Sequence, residues 1–293
     1  EIQLTVVYNL LIRSGNAPIN LFFFDKRSCL WIHASHTKNK IMNDKLQWNN
    51  VADKYEDEIF SVFKNDKGKK IEHYLKKHAD KNHVAIDFGC GIGYALPLIT
   101  PYFKKVIALD VSQECINKAQ LVSYENVVFK QADLASTKID PVKGDFAFCC
   151  NVAISGNNTR NYRILQNVLN SLKVGGIAVF VLPSLESSSL SSQKMIEWYK
   201  KENTVINEIP LDELTHLNEV DSKRVMQGIF KINDIPTKHY SFAELFSFFN
   251  KGNFKLENID RVEYDWATEF NSPPSWMRDP YPFDWLVEVK RVK

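Results

Sequence analysis

From residue 83 onward, two hydrophobic patterns take turns along the chain: short unbroken apolar runs, and longer segments with apolar residues three or four apart. The runs His83–Phe88, Val106–Leu109, Asn126–Lys130, Asp145–Cys150 and Ile177–Leu182 read as strands. Tyr94–Phe103, Ser112–Val122 and Thr159–Leu172 carry helical spacing between them. Pro97 falls in the first turn of its helix, where a missing N–H costs least. Ser112 stands at an N-cap position, and Lys173-Val174-Gly175-Gly176 reads as the stop of the third helix. Unbroken apolar strands need cover on both faces, so the rhythm predicts a doubly wound, mostly parallel α/β sheet with helices on both sides.

The flanks are less regular. Val51, Tyr55, Ile59, Val62 and Phe63 predict an amphipathic helix over Trp48–Phe63, and a second covers Lys70–Lys77 before the breaker Asp80-Lys81-Asn82. After Pro183 the rhythm breaks. Leu185–Lys201 holds a serine cluster and then a helix with Met195, Ile196, Trp198 and Tyr199; strand pairs are expected around Val225–Ile232. A helix starts at Ser241, and Phe254–Tyr264 and Trp285–Val292 complete a seven-stranded sheet. Residues 184–240 therefore read as an insertion after the fifth strand, on the substrate side. Residues 1–41 lack periodicity and are set apart as an atypical extension without assigned role, leaving one domain over 42–293.

Composition changes this picture little. With 44% apolar and 25% charged residues the chain is an ordinary globular one, and a net charge of +2 argues against nucleic-acid or membrane partners. Five cysteines without a C-x-x-C pair suggest neither a disulfide framework nor a metal site, but a reducing compartment. No apolar stretch approaches the roughly 20 residues that cross a bilayer. Leu4–Ile12 is short and follows Glu1, a poor signal peptide. The expected location is cytoplasmic.

The chemistry concentrates in Asp87-Phe88-Gly89-Cys90-Gly91-Ile92-Gly93, directly after the first strand. Glycines in a tight strand-to-helix turn let backbone N–H groups approach a cofactor. A dinucleotide fingerprint, G-x-G-x-x-G, would need its third glycine at Tyr94 or Leu96, and both positions fail. The acid before the glycines suits a cofactor with a cationic amino acid end and suits a pyrophosphate badly.

Over residues 48–183, with an echo in the last two strands, the chain resembles the class I S-adenosylmethionine-dependent methyltransferases of small-molecule type. The resemblance implies that the loop holding Asp87, Gly89, Gly91 and Gly93 wraps the methionine part of S-adenosylmethionine. It implies that Asp110, ending the second strand, holds the ribose hydroxyls, and that Asp133, after the third, reaches the adenine amino group. Leu172-Lys173-Val174-Gly175-Gly176 resembles the family's turn before the fifth strand. Trp48–Tyr55 is similar to a helix that folds over the cofactor, with Tyr55 either closing the pocket or packing.

Methyl transfer from a sulfonium is an in-line displacement that needs alignment more than a nucleophile of the protein's own. After the fourth strand stands Cys150-Asn151-Val152-Ala153-Ile154, without the motifs of DNA methylation; Asn151 is a candidate for cofactor or substrate contact. His239 is the candidate general base. Tyr240 and Trp276 belong to an aromatic-rich set that serves either as a substrate cage or as a core for the insertion. The expected function is methyl transfer to a small-molecule acceptor. A non-catalytic cofactor-binding regulator and a protein methyltransferase stand as alternatives.

Overall fold

The computed structural model describes residues 48–49, 60–137, 142–209, 222–232 and 235–293. The expectations for residues 1–41 and for Tyr55 lie outside them. Nine strands are described, β1 (Asp80–Phe88), β2 (Phe103–Asp110), β3 (Val127–Gln131), β4 (Gly144–Cys150), β5 (Leu172–Pro183), β6 (Ile229–Ile232), β7 (Ile235–Lys238), β8 (Phe254–Glu263) and β9 (Phe283–Arg291). The helices are α1 (Val62–Asn65), α2 (Lys70–Lys77), α3 (Leu96–Ile99), α4 (Gln113–Ala119), α5 (Asn158–Asn170), α6 (Leu185–Lys201), α7 (Ser222–Val225) and α8 (Phe242–Phe249).

Seven strands form one sheet in the order β3-β2-β1-β4-β5-β9-β8, and β6 and β7 pair as a separate hairpin. β1 to β5 run parallel; β9 lies antiparallel to β5 and β8 antiparallel to β9. The order turns back between β1 and β4, which opens a crevice at the carboxyl ends of the strands.

Strand periodicity explains why the apolar runs have no polar breaks. On β4, Phe146 and Phe148 enter one core while Ala147 and Cys149 enter the other. On β5, Val179 and Val181 face the first of these, and Ala178, Phe180 and Leu182 the second. Each large side chain buried this way contributes about 1.5–3 kcal/mol.

Several local expectations shift. The helix expected over Tyr94–Phe103 is the single turn α3, because Pro101 has no N–H to donate to Pro97 and Phe103 leaves to open β2. Phe103 stacks on Phe146 at 5.0 Å between ring centres. The polar Asp80-Lys81-Asn82 is part of β1: Asp80 pairs with Phe103, and the register shifts before Val84. The glycines after α5 do not end it. The helix stops at Asn170, β5 begins at Leu172, and Gly175 (φ +85°) sits within that strand. The serine cluster is inside α6, capped by Ser184, whose hydroxyl accepts from the Ser187 amide at 3.0 Å. Ser187 and Ser191 are small enough to bury their face of the helix, and the Ser187 hydroxyl accepts from the Phe283 amide.

The segment between β5 and α8 starts and returns at one place. Ser184 and Tyr240 bridge, the Tyr240 amide donates to the Pro183 carbonyl at 2.8 Å, and the Leu185 amide donates to the Tyr240 carbonyl at 3.0 Å. Of the aromatics singled out above, Trp198 is buried with Met195, Trp266, Phe270 and Met277, and Trp276 packs against them, whereas Tyr240 is buried in the core of the sheet. No helix among the described residues is long and apolar enough to cross a membrane.

Candidate cofactor and acceptor site

At the turning point of the sheet a cavity of about 450 Å³ opens over the carboxyl ends of β1, β2 and β4. Gly89, Gly91, Asp110, Val111, Cys115 and Leu134 line one half. The other half is lined by the chain that follows β4, all of Asn151 to Asn157 except the buried Ala153, and by Ile235, Pro236 and Thr237 of the β6–β7 hairpin.

The glycine loop is held by backbone geometry that side chains would obstruct. Gly89, Gly91 and Gly93 have φ of +74°, +52° and +94°. The Gly89 and Cys90 amides both donate to the Leu109 carbonyl, at 2.7 and 3.0 Å, tying the loop to the end of β2. A Cβ on Gly89 would lie 2.2 Å from Val152 Cγ2, so the loop and the chain after β4 touch at that point.

Asp110 organises the same corner. Its two oxygens accept from the Gly91 and Ser112 amides, each at 2.8 Å, and burial pushes its carboxyl above the usual range while those bonds pull it back. Ser112 then caps α4 as expected, accepting from the Cys115 amide at 3.1 Å. Its hydroxyl also donates to Asn49 Oδ1 at 2.7 Å, which brings Trp48 over the cavity.

Asp87 ends β1 beneath the loop rather than on the cavity wall. It is 2% exposed, and its Oδ2 has no hydrogen-bond partner among the described residues. Burial pushes the carboxyl up to about 7, and the Asp110 charge adds to the shift. An orphaned buried carboxylate oxygen calls for a partner that the described residues do not supply. Positive-φ glycines, a buried acid under them and a second acid at the end of β2 fit S-adenosylmethionine, which carries a cationic amino acid end and ribose hydroxyls.

Asn151 adopts φ +52°, donates its amide hydrogen to the Val181 carbonyl at 2.9 Å, and lines the cavity. Its Nδ2 donates to Asp284 Oδ2 at 3.0 Å, leaving Oδ1 buried and without a partner among the described residues. Asp284 also accepts from the Tyr264 hydroxyl at 2.9 Å; burial raises its carboxyl to about 6 against the pull of these two bonds. Sequence reasoning missed Asp284, since nothing in β9 marks it as the partner of a residue 133 positions earlier.

The other expected site residues are not brought to this cavity. Asp133 is ion-paired with Arg160 at 2.8 Å; burial would raise its carboxyl, but the Arg160 bond and the Ala135 amide hold it below the usual value. Its partner Arg160 and its neighbour Leu134 do line the cavity. Tyr240 is fully buried and donates its hydroxyl to the Ala153 carbonyl at 2.6 Å, supporting the chain after β4 from below. His239 lines a separate space of about 40 Å³ with Ser184, Glu269 and Asp284. There Glu269 is pushed up to about 7, chiefly by burial. Trp276 lies in the aromatic core, with Lys201 Nζ 4.9 Å from its ring centre.

Known proteins share this fold. A family model described as a methyltransferase domain matches residues 61–220. A Dictyostelium discoideum protein named as a methyltransferase is 32% identical over 97 residues, which is 32% of this chain and 32% of that relative, so the match spans about a third of the relative's length. Among solved structures, an S-adenosylmethionine-dependent methyltransferase from Methanosarcina mazei superposes with a TM-score of 0.54 at 16% identity, over 75% of this chain and 98% of that one. The N-methyltransferase NodS of Bradyrhizobium japonicum, solved with S-adenosylhomocysteine, gives 0.54 at 10% identity over 86% and 100%. Identities this low speak for the fold, whereas the family model covers more than half of the chain. The chain belongs to the methyltransferase-domain family, which draws its methyl group from S-adenosylmethionine.

Proposed function

We propose that the protein transfers a methyl group from S-adenosylmethionine to a small-molecule acceptor bound between the chain after β4 and the β6–β7 hairpin. The observation that carries this reading is the single cavity running from the glycine loop and Asp110 to Asn151 and Thr237. When bound, S-adenosylmethionine supplies a methyl group activated on a sulfonium. Gly89, Gly91 and Gly93 let the backbone approach the methionine part, Asp87 attracts its cationic end through charge, and Asp110 faces the ribose. Asp133 pairs with Arg160 and takes no part in holding the cofactor.

The chain's contribution to the reaction is alignment. With Nδ2 committed to Asp284, Asn151 Oδ1 is left to accept an N–H or O–H of the acceptor. Asp110 is the only carboxylate on the cavity among the described residues, and no histidine joins it. Burial raises the thiols of Cys115, to about 11, and of Cys150, so neither is a thiolate near neutral pH. Val152, Ile154, Ile164, Ile235 and Pro236 keep water away from the reacting atoms.

Two titrations test the cofactor half. Asp110→Ala is expected to weaken S-adenosylmethionine binding at least tenfold, about 1.4 kcal/mol, as loss of a charge-assisted bond does; an unchanged affinity in calorimetry would remove this acid from the site. Asp87 makes binding depend on pH. Its folded pKa of about 7 lies above the ordinary value, so the carboxyl is neutral at pH 6 and ionised at pH 8. A cationic ligand favours the ionised form, and affinity should fall toward a limit of about tenfold per pH unit below 7. Asp87→Asn should flatten that profile; a flat wild-type curve would contradict the assignment. Labelled product from a cell extract separates the enzyme from a non-catalytic binder.

A further inference from the structure

Among the described residues, the charged side chains on the acceptor half of the cavity are arginines. Arg224, on α7, and Arg160, near the start of α5, both line it. Asp110, the only acid on the wall among the described residues, sits at the opposite, cofactor half and already accepts two backbone amides. Arg160 is partly neutralised by Asp133. Arg224 has no hydrogen-bond or ion-pair partner for its guanidinium among the described residues. A recess of about 410 Å³ adjoins the cavity, shares Asn157 and Arg160 with it, and is lined further by Arg163 and by Asp133, the partner of Arg160.

We propose that this end of the cavity recognises an oxyanion group of the acceptor, a carboxylate or a phosphoryl group, with Arg224 as its main ligand and Arg160 beside it. The inference rests on the methyl-transfer reading and names the acceptor class within it. A guanidinium presents paired donors in one plane and matches the two oxygens of such a group, which a point charge does not. A cationic acceptor would meet the reverse of what it needs. The aromatics that would cage an amine are packed in their own core, and Trp48 is the only aromatic residue on the cavity wall among the described residues.

The two halves of the site then divide the acceptor between them. The oxyanion lies at Arg224, and an N–H or O–H lies at Asn151 Oδ1 near the reacting centre. Ile154, Ile235 and Pro236 hold the apolar part in between.

The test uses the full chain saturated with S-adenosylhomocysteine, in a buffer free of phosphate and low in chloride. Benzoate, phenyl phosphate, benzylamine and benzyl alcohol are titrated in turn and followed by NMR. The two anions are expected to bind at least tenfold more tightly than the amine and the alcohol, and the tighter of the two tells carboxylate from phosphoryl. Arg224→Ala should weaken both anions at least tenfold while the affinity for S-adenosylhomocysteine stays within twofold, which also reports that the variant folds. Arg224→Lys should recover only part of the loss. Amine binding as tight as the anions, or anion binding indifferent to Arg224→Ala, would overturn the proposal. If the wild-type chain bound no S-adenosylhomocysteine, the methyl-transfer reading would fail instead. The same anion titrations on the cofactor-free protein would then decide on the Arg224 site by itself.

Discussion

Glu244→Ala is expected to lower the thermal midpoint by about 6–12 °C. Lys238 is 1% exposed, and its ammonium donates to Glu244 Oε2 at 2.7 Å and to the Gln227 carbonyl at 2.5 Å. The other oxygen of Glu244 accepts from the Tyr162 hydroxyl at 2.5 Å. Burial lowers the lysine's pKa and Glu244 opposes the shift. Removing the carboxylate leaves a buried cation uncompensated, at about 3 kcal/mol, and a domain of this size loses about 2–4 °C per kcal/mol. The deficit has a signature in pH. The lysine's folded pKa, already depressed, drops further in the variant, so the folded state holds fewer protons than the unfolded one and stability recovers as pH climbs toward 10. Replacing both partners, Lys238→Met with Glu244→Leu, should restore most of the midpoint because no charge is then stranded. A midpoint unmoved by Glu244→Ala would show that the pair carries no weight.

Gly89→Ala should abolish measurable cofactor binding, a loss of at least a hundredfold or about 2.7 kcal/mol. Two costs combine. At φ +74° an L side chain is strained by about 1–2 kcal/mol, and the new methyl would lie 2.2 Å from Val152 Cγ2. Relief of the overlap must move the loop or the chain after β4, and both border the cavity. Val152→Ala in the same chain removes the overlap but not the strain, so the double variant should regain part of the affinity. Calorimetry on both variants checks this. Equal loss in the two would place the whole cost in the backbone.

The sheet was legible because its signal is local. Strands buried on both faces cannot hide their apolar runs, and the cap at Ser112 lies next to the helix it starts. The loop from Asp87 to Gly93 was readable for the same reason, as its backbone demands glycine at fixed places. The short α3 was readable too, had Pro101 been weighed as well as Pro97. What escaped depends on pairs far apart in the chain. Nothing near Asn151 announces Asp284, nothing near Asp133 announces Arg160, and nothing in either segment places Thr237 against Ser155. His239 and Trp276 drew notice by residue type alone, and neighbours close in sequence gave no hint that β9 and α6 enclose them away from the cavity.

The bridge between Ser184 and Tyr240 bears on how such a protein diversifies. The outgoing and returning strands clasp each other before the sheet resumes, so the chain between them hangs from a closed ring. A replacement of another length or shape meets the same two anchor points and leaves the register of β5 with β9 untouched. The entropic penalty for a longer replacement grows slowly, about 0.6 kcal/mol per doubling. Selection can therefore exchange the wall that holds Arg224 and Thr237 while the corner holding Asp87 and Asp110 stays constant, and relatives with the same sheet are free to differ most in that hanging segment.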